Sequence, residues 1–450
     1  MQPPVSGALA GRDRWIAAAI VGVLLLVYNA NGREIGSYDS QPTKFAAREL
    51  LLRGTLTLSH VVGATPAYSE RMAFVLARDG RYRSAYSPMP AIAAATISYP
   101  LVRLHLLDLR SPLAPNRIAV IGASVLTALA VGLLFLTARQ RSSRRTAILL
   151  CLGLGLGTGL WCAVSRTLWQ HETAIFGLAI AVAAFASTDA RLNLRQAAWA
   201  GIGLALAGTA RPQLAPMIAV VLAGVWARAP GRAAAVATAI VGGTAALLMF
   251  MNWRWFGTPF GAVSTLGSTN DVIHSTSGWI DWRFEGLAGL LVSPSRGLLV
   301  YSPIVAVAFA GFVDAARASW GSALRWCAAA AVAQFLLYGS YSVWWAGHTY
   351  GPRYLLDVLP ILVPLAAAAM ARIHLRPIAA VAVTAALAWS IALAGTGAFF
   401  YPHERWNSDP VDVDRDHARL WDWSDPQFVR CWRSGPSPQN FALFAPDASN

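Results

Sequence analysis

Lysine is nearly absent from this chain. Lys44 is the only one among 36 basic residues, and charged residues of all kinds make up 13% of 450. A soluble domain carries roughly a quarter of its residues charged, so that class is excluded. Cysteine is scarce as well. Cys151, Cys162 and Cys327 lie in apolar stretches, Cys431 stands alone near the end, and no C-x-x-C pair occurs. Neither a disulfide framework nor a thiolate metal site is indicated. Walker, dinucleotide-binding, nucleophile-elbow and H-E-x-x-H motifs are missing, which leaves nucleotide hydrolysis without support. No internal repeat and no low-complexity linker is visible.

What is there is apolar surface. Hydrophobic residues make up 56% of the chain and the mean hydropathy is +0.47, values expected of an all-α polytopic membrane protein. Apolar runs lie at 15–28, 118–138, 146–164, 174–187, 197–209, 214–227, 233–252, 298–313, 326–343, 354–370 and 378–399. They predict about eleven transmembrane helices, several near the lower limit for crossing a bilayer. The first follows Arg12 and Arg14 without a small-residue cleavage site and is read as a retained helix. A transmembrane module over 1–400 is expected, with a first extracytoplasmic loop at 31–107. A short polar extracytoplasmic tail, 401–450, follows it, in which the run R-L-W-D-W-S-D-P-Q-F-V-R-C-W reads as a short aromatic helix packed on the outer face.

The segment 88–107 is apolar but holds Pro88, Pro90 and Pro100. If it stays on one side, Arg12/Arg14, Arg139/Arg141/Arg144/Arg145, Arg191/Arg195, Arg228/Arg232, Arg317/Arg325 and Arg372/Arg376 share one face. Arg166, Arg211 and Arg353 then share the other. The positive-inside bias favours this arrangement. It makes 88–107 a juxtamembrane or re-entrant helix, the N-terminus cytoplasmic and the tail extracytoplasmic. The net charge of +14 then serves helix ends and phosphate contacts, and no nucleic-acid partner is expected. The wealth of Ala, Gly and Arg fits a bacterial inner membrane.

The unusual polar segments gather on that outer face. N-G-R-E-I-G-S-Y-D places Asp39 just beyond the first span. A carboxylate there can orient or deprotonate an attacking group, and an N-cap is the alternative use for it. The run 43–53 follows, with Phe45, Ala46, Leu50 and Leu51 on one face and Lys44, Arg48, Glu49 and Arg53 largely on the other. That pattern fits a helix lying flat on a bilayer. His171 and Glu172 form a second acidic position, suited to a metal, to an acceptor or to a helix N-terminus. Arg211, Arg296 and Arg353, with Lys44, are candidates for a lipid phosphate, against interfacial anchoring. Trp344, Trp345, His348 and Tyr350 are candidates for a sugar pocket, against an aromatic belt. A polar stretch at 261–278 has the composition of a mobile flap.

The order of these features resembles the GT-C superfamily of integral-membrane glycosyltransferases, which includes the protein O-mannosyltransferase-like family 39 and the lipid A aminoarabinose transferases. The resemblance lies in the layout: one helix, a long outer loop with an early Asp, the Pro-marked Y-S-P-M-P, a basic turn, a second outer acidic position and W-W-A-G-H-T-Y-G-P-R-Y-L-L-D-V-L-P. It implies a polyprenyl-phosphate-linked sugar donor, extracytoplasmic transfer with inversion, and a glycan, lipid or protein acceptor. By position it makes Asp39 the catalytic acid and Glu172 the second acidic residue, with Arg296 and Arg353 at the lipid phosphate. No D-x-D stands at either acidic position, so a divalent metal is left open. Other classes compatible with the layout are a transporter or flippase of lipid-linked sugars, an O-antigen polymerase or ligase, and a structural partner without activity.

Overall fold

The computed structural model describes residues 11–437 and 440, apart from 72, 188, 263–265, 267–270, 283 and 373–376. Arg376, part of the expected flap and residues 441–450 lie outside the described residues. The described chain is mostly helical, with one two-stranded hairpin, Phe74–Leu76 against Tyr82–Ser84.

Among the described residues, four helices are long and apolar enough to cross a membrane: Ala114–Arg141 (α5), Gly231–Phe256, Tyr354–Arg372 and Pro377–Phe399. A fifth is formed if the bent pair Arg144–Leu156 and Gly159–Arg166 counts as one span. The chain therefore has the character of a membrane protein. Two of the long helices are hardly covered by protein: 11% of the apolar window is buried in Gly231–Phe256 and 17% in Pro377–Phe399. Exposed apolar faces of that size need a lipid solvent.

Several expected single spans are broken. The run 146–164 divides at Gly157, where Thr158 caps the next turn and the axis bends by 42°. The run 298–313 divides at Ser302-Pro303 into Leu298–Tyr301, a 3-10 turn over Pro303–Ala306, and Val307–Arg317. A proline without an amide hydrogen starts a new helix more readily than it continues one. The helix expected at 326–343 stops at Gly339. The loop after it holds Ala346, Gly347 and Gly351 at positive φ.

α5 fixes the long axis of the molecule. It starts on Pro115 and ends on Arg139 and Arg141, whose charges favour a helix C-terminus. Its 28 residues span about 42 Å at 1.5 Å per residue. Near its start Asn116 accepts from Lys44 (2.7 Å). Past its end Asp13 pairs with Arg144 (2.7 Å) and Arg139 (3.5 Å), and Arg141 pairs with Asp189 (3.1 Å). The 31–107 loop and the Arg-rich turns thus occupy opposite ends of one rod.

The loop 31–107 has a core of its own. The helices Gln41–Arg53 (α2) and Met89–Arg103 (α4) pack on each other and on α5. Ala47, Leu58, Val62, Phe74, Ala94 and Ile118 are buried between them. α4 has 15 residues and carries Pro100, too few to cross a bilayer upright. α2 departs from the flat-lying reading: Lys44 and Glu49 are buried. Lys44 pairs with Glu34 (2.8 Å), Arg53 reaches back to Glu49 (2.6 Å), and Arg48 donates to the Leu109 carbonyl (2.9 Å). A face that looks polar in sequence is an internal ion-pair seam.

The tail is docked. A 3-10 turn, His417–Trp421, and a helix, Gln427–Ser434, replace the single short helix expected. Phe428 lies edge-on to Tyr301 and Trp389, and the Trp432 indole donates to Thr396 (2.9 Å).

Candidate functional site

Asp39 is not an N-cap. Ser40 holds that position at α2. The Asp39 carboxylate, 29% exposed, accepts from Arg353 through Oδ2 (3.2 Å) and from the Tyr86 hydroxyl through Oδ1 (3.0 Å). Tyr86 arrives from the loop before α4. Desolvation, then the adjacent carboxylate, push its hydroxyl well above the usual range, so it remains a donor.

Arg353 continues the chain inward. Its guanidinium stacks over Trp169 (4.2 Å) and its Nε–H donates to His171 Nε2 (3.4 Å). Arg211 donates to the same ring nitrogen (3.2 Å). On the other side of the ring, His171 Nδ1 lies 2.8 Å from Asp357 Oδ1. These partners assign the tautomer: Nδ1 carries the hydrogen toward Asp357, and Nε2 accepts from two guanidiniums. Asp357 Oδ2 receives the Tyr338 hydroxyl (2.7 Å) and pairs with Arg211 (3.0 Å). His171 and Asp357 have no solvent exposure.

Local sequence explains the assembly. Gln170, at positive φ, turns the chain so that the next helix, His171–Phe185, begins with its first side chain pointing inward. Arg211 follows the last residue of the helix Leu194–Ala210. Arg353 ends the loop made irregular by Ala346, Gly347 and Gly351, and Asp357 lies in the 3-10 turn Tyr354–Val358 that leads into the next span.

Of the residues singled out by sequence, Asp39, His171, Arg211 and Arg353 come together. Glu172 makes no hydrogen bond to any of them. It is fully buried and accepts from Thr173 (3.2 Å), and its second carboxylate oxygen has no hydrogen-bond partner among the described residues. Lys44 belongs to the Glu34 and Asn116 seam rather than to a phosphate site. Arg296 has no donor left for a phosphate. Its five N–H groups meet Trp345 O (3.1 Å), Ser295 O (2.8 Å), Gln427 Oε1 (2.9 Å), Gly347 O (3.2 Å) and Asn407 Oδ1 (2.7 Å). It joins the tail to the 340–351 loop. Trp344, Trp345 and Tyr350 are buried in the main core, where the Tyr350 hydroxyl donates to Leu393 O (2.9 Å). They line no open sugar pocket. His348 is exposed and meets Asp412 (2.9 Å).

Asp357, Tyr338, Tyr86 and Trp169 belong to the constellation and were not singled out. Asp357 carried a signal: an acid inside an apolar run is costly unless paired. The two tyrosines carried none. A metal held by Asp39, His171 and Glu172 does not fit these residues. Both ring nitrogens of His171 are engaged, two guanidiniums face its Nε2, and among the described residues no hydrogen bond joins the Glu172 side chain to Asp39 or His171. An apolar cavity of about 270 Å³ adjoins the same turn, with Leu355, Val358, Leu298, Phe312 and Phe335 in its wall. Comparison with protein-family models and with curated proteins returned no match to this chain.

Proposed function

We propose that the chain is a polyprenyl-phosphate-sugar-dependent glycosyltransferase of the inner membrane, with its site on the extracytoplasmic face. The observation that carries this reading is the relay from the partly exposed Asp39 through Arg353 to the buried His171, Arg211 and Asp357. It sets a carboxylate and a cation side by side at the rim, with a rigid charged base beneath. The apolar cavity beside Leu355 and Val358 supplies a surface on which an isoprenoid chain is soluble.

In this reading the donor phosphate competes with Asp39 for Arg353, and the displaced carboxylate turns to the acceptor. The acceptor oxygen or nitrogen attacks the anomeric carbon, the bond from that carbon to the phosphate oxygen breaks, and the acceptor proton passes to Asp39. The polyprenyl phosphate leaves with its charge stabilised by Arg353. Arg211 and Asp357 hold His171, and His171 holds the inner edge of Arg353. Glu172 has a structural place at the helix start. The finer topology, about eleven spans with a cytoplasmic N-terminus, belongs to the same proposal.

The test is transfer from a synthetic polyprenyl-phosphate monosaccharide by purified protein in nanodiscs, with and without EDTA. Asp39→Asn should lower turnover by about a hundredfold or more while leaving the melting temperature within a degree or two. Wild-type turnover in the Asp39→Asn protein removes Asp39 from the mechanism. Translocation of the intact donor across the nanodisc or vesicle membrane without transfer would make the chain a transporter.

A further inference from the structure

A second set of chemistry-bearing side chains lies outside the relay and plays no part in the proposed transfer. His348 Nε2 lies 2.9 Å from Asp412 Oδ1 and 3.5 Å from Asp414 Oδ2. His274 Nε2 approaches the same Asp414 oxygen at 3.8 Å. One imidazole nitrogen and two carboxylates, from the 340–351 loop and the tail, therefore converge on one point, and a second imidazole from the 271–281 stretch stands beside Asp414. We propose that His348, Asp412 and Asp414, with His274, form a binding site for a divalent transition-metal ion of the zinc type.

The distances suit such an ion. Ligands about 2 Å from a tetrahedral zinc lie roughly 3.3 Å from one another, and the three ligand atoms of His348, Asp412 and Asp414 all fall within 4.8 Å. The donor set is mixed nitrogen and oxygen, which favours zinc over magnesium or calcium. The surroundings hold the ligands in place. Asp414 is largely buried, and its other oxygen accepts from the Trp345 indole (2.7 Å), the outer-shell bond that orients a metal carboxylate. Asp412 Oδ1 is fixed by the Asp414 amide (2.9 Å). His417 packs on Trp345 (4.2 Å) and bonds the His274 carbonyl (3.0 Å), which ties down the backbone of the fourth ligand.

Gly347 shows that the close approach is built into the chain. It sits at φ +67°, and a Cβ there would lie 3.1 Å from His274 Nε2. Any larger residue would be strained in that backbone conformation and would crowd the imidazole. A bound ion would join the 271–281 stretch and the tail to the loop that ends in Arg353, across segments otherwise held by scattered hydrogen bonds.

The experiment uses the full chain in detergent, stripped with EDTA, desalted, loaded with zinc chloride and desalted again. Metal is counted by mass spectrometry and stability is followed by thermal unfolding. About one zinc per chain is expected, with a rise in melting temperature. His348→Ala with Asp412→Asn, both at solvent-accessible positions, should reduce retained zinc about tenfold or more, and Trp345→Phe should weaken it about tenfold without abolishing it. His60→Ala, a distant exposed histidine, should change nothing. Cobalt loaded into the wild type should give the intense visible bands of a tetrahedral site, a readout that needs no variant. No retained zinc in the wild type, zinc retained unchanged by the double variant, or equal displacement by magnesium would each overturn the assignment.

Discussion

Two aspartates show how burial decides what a residue does. Asp357 is fully enclosed between His171, Arg211 and Tyr338. Replacing it by Asn leaves the Arg211 charge buried without a partner, and breaking such a pair costs about 3–5 kcal/mol. Asp39 faces Arg353 at a site partly open to solvent, where an ion pair contributes roughly 0–1 kcal/mol. Asp357→Asn should therefore lower the melting temperature sharply, while Asp39→Asn should leave it nearly unchanged and remove transfer. Equal thermal losses in scanning fluorimetry would show that the relay is structural at both ends. Arg296 belongs with Asp357. Lysine offers three donors where arginine satisfies five, so Arg296→Lys leaves buried oxygens without a donor and should destabilise by about 3 kcal/mol. It should also speed proteolytic release of the tail in limited digestion, with the donor KM of the surviving protein unchanged. A raised KM without loss of stability would return Arg296 to the phosphate.

At the scale of helices, close packing transmits stability to the site. The helices His171–Phe185 and Leu194–Ala210 meet through Gly177 and Gly203, and a Cβ on Gly203 would fall against the Ala181 amide nitrogen and the Gly177 carbonyl oxygen. Small residues at such crossings are what membrane helices use to approach one another. Gly203→Val should force the pair apart, lower the melting temperature and, because one helix begins at His171 and the other is followed by Arg211, lower turnover as well. Gly242→Val, where a Cβ meets nothing within 4 Å, should be neutral. Identical melting curves would place the crossing elsewhere. The docked tail supplies the pH dependence. Burial raises the Glu404 carboxyl above its ordinary range, so the folded state holds that proton more tightly than the unfolded one. Its contribution is complete below the ordinary glutamate pKa and is lost as pH rises through the raised value. The melting temperature of the wild type should fall more between pH about 4 and 8 than that of Glu404→Gln, and parallel curves would count against it. Hydropathy made the long helices legible, because apolar runs of about 20 residues have few other uses. It did not reveal the breaks at Gly157 and Ser302-Pro303, nor the internal seam of α2. Burial of Lys44 and Glu49 depends on partners far away in sequence. Asp39, Arg353, His171 and Arg211 were legible singly, as charges beside spans. Charge asymmetry also pointed to Asp39 and the late arginines sharing one face, but not to which arginine reaches it: Arg353 does, while Arg296 is committed to the tail.

The whole molecule poses the question of orientation. α5 separates the 31–107 loop, with Asp39, from the turns bearing Asp13, Arg144, Asp189 and Arg191. If a bilayer surrounds the exposed apolar helices, the two ends face different compartments, and the positive-inside bias puts the Arg-rich end in the cytoplasm. Cysteine chemistry can test this with little background. All four native cysteines are buried, and burial raises the thiol of Cys431, the one in the tail, well above its usual range, which keeps it protonated and slow to react. Ser69, exposed in the loop at one end, and Arg191, exposed in a turn at the other, each tolerate a cysteine without loss of a buried contact. A membrane-impermeant maleimide applied to intact spheroplasts should label Ser69→Cys and spare Arg191→Cys. Permeabilised cells should show both. Labelling of Arg191→Cys alone from outside would invert the molecule and move the Asp39 relay to the cytoplasmic face. The donor would then have to be presented from inside, and the extracytoplasmic transfer reading would fall with it.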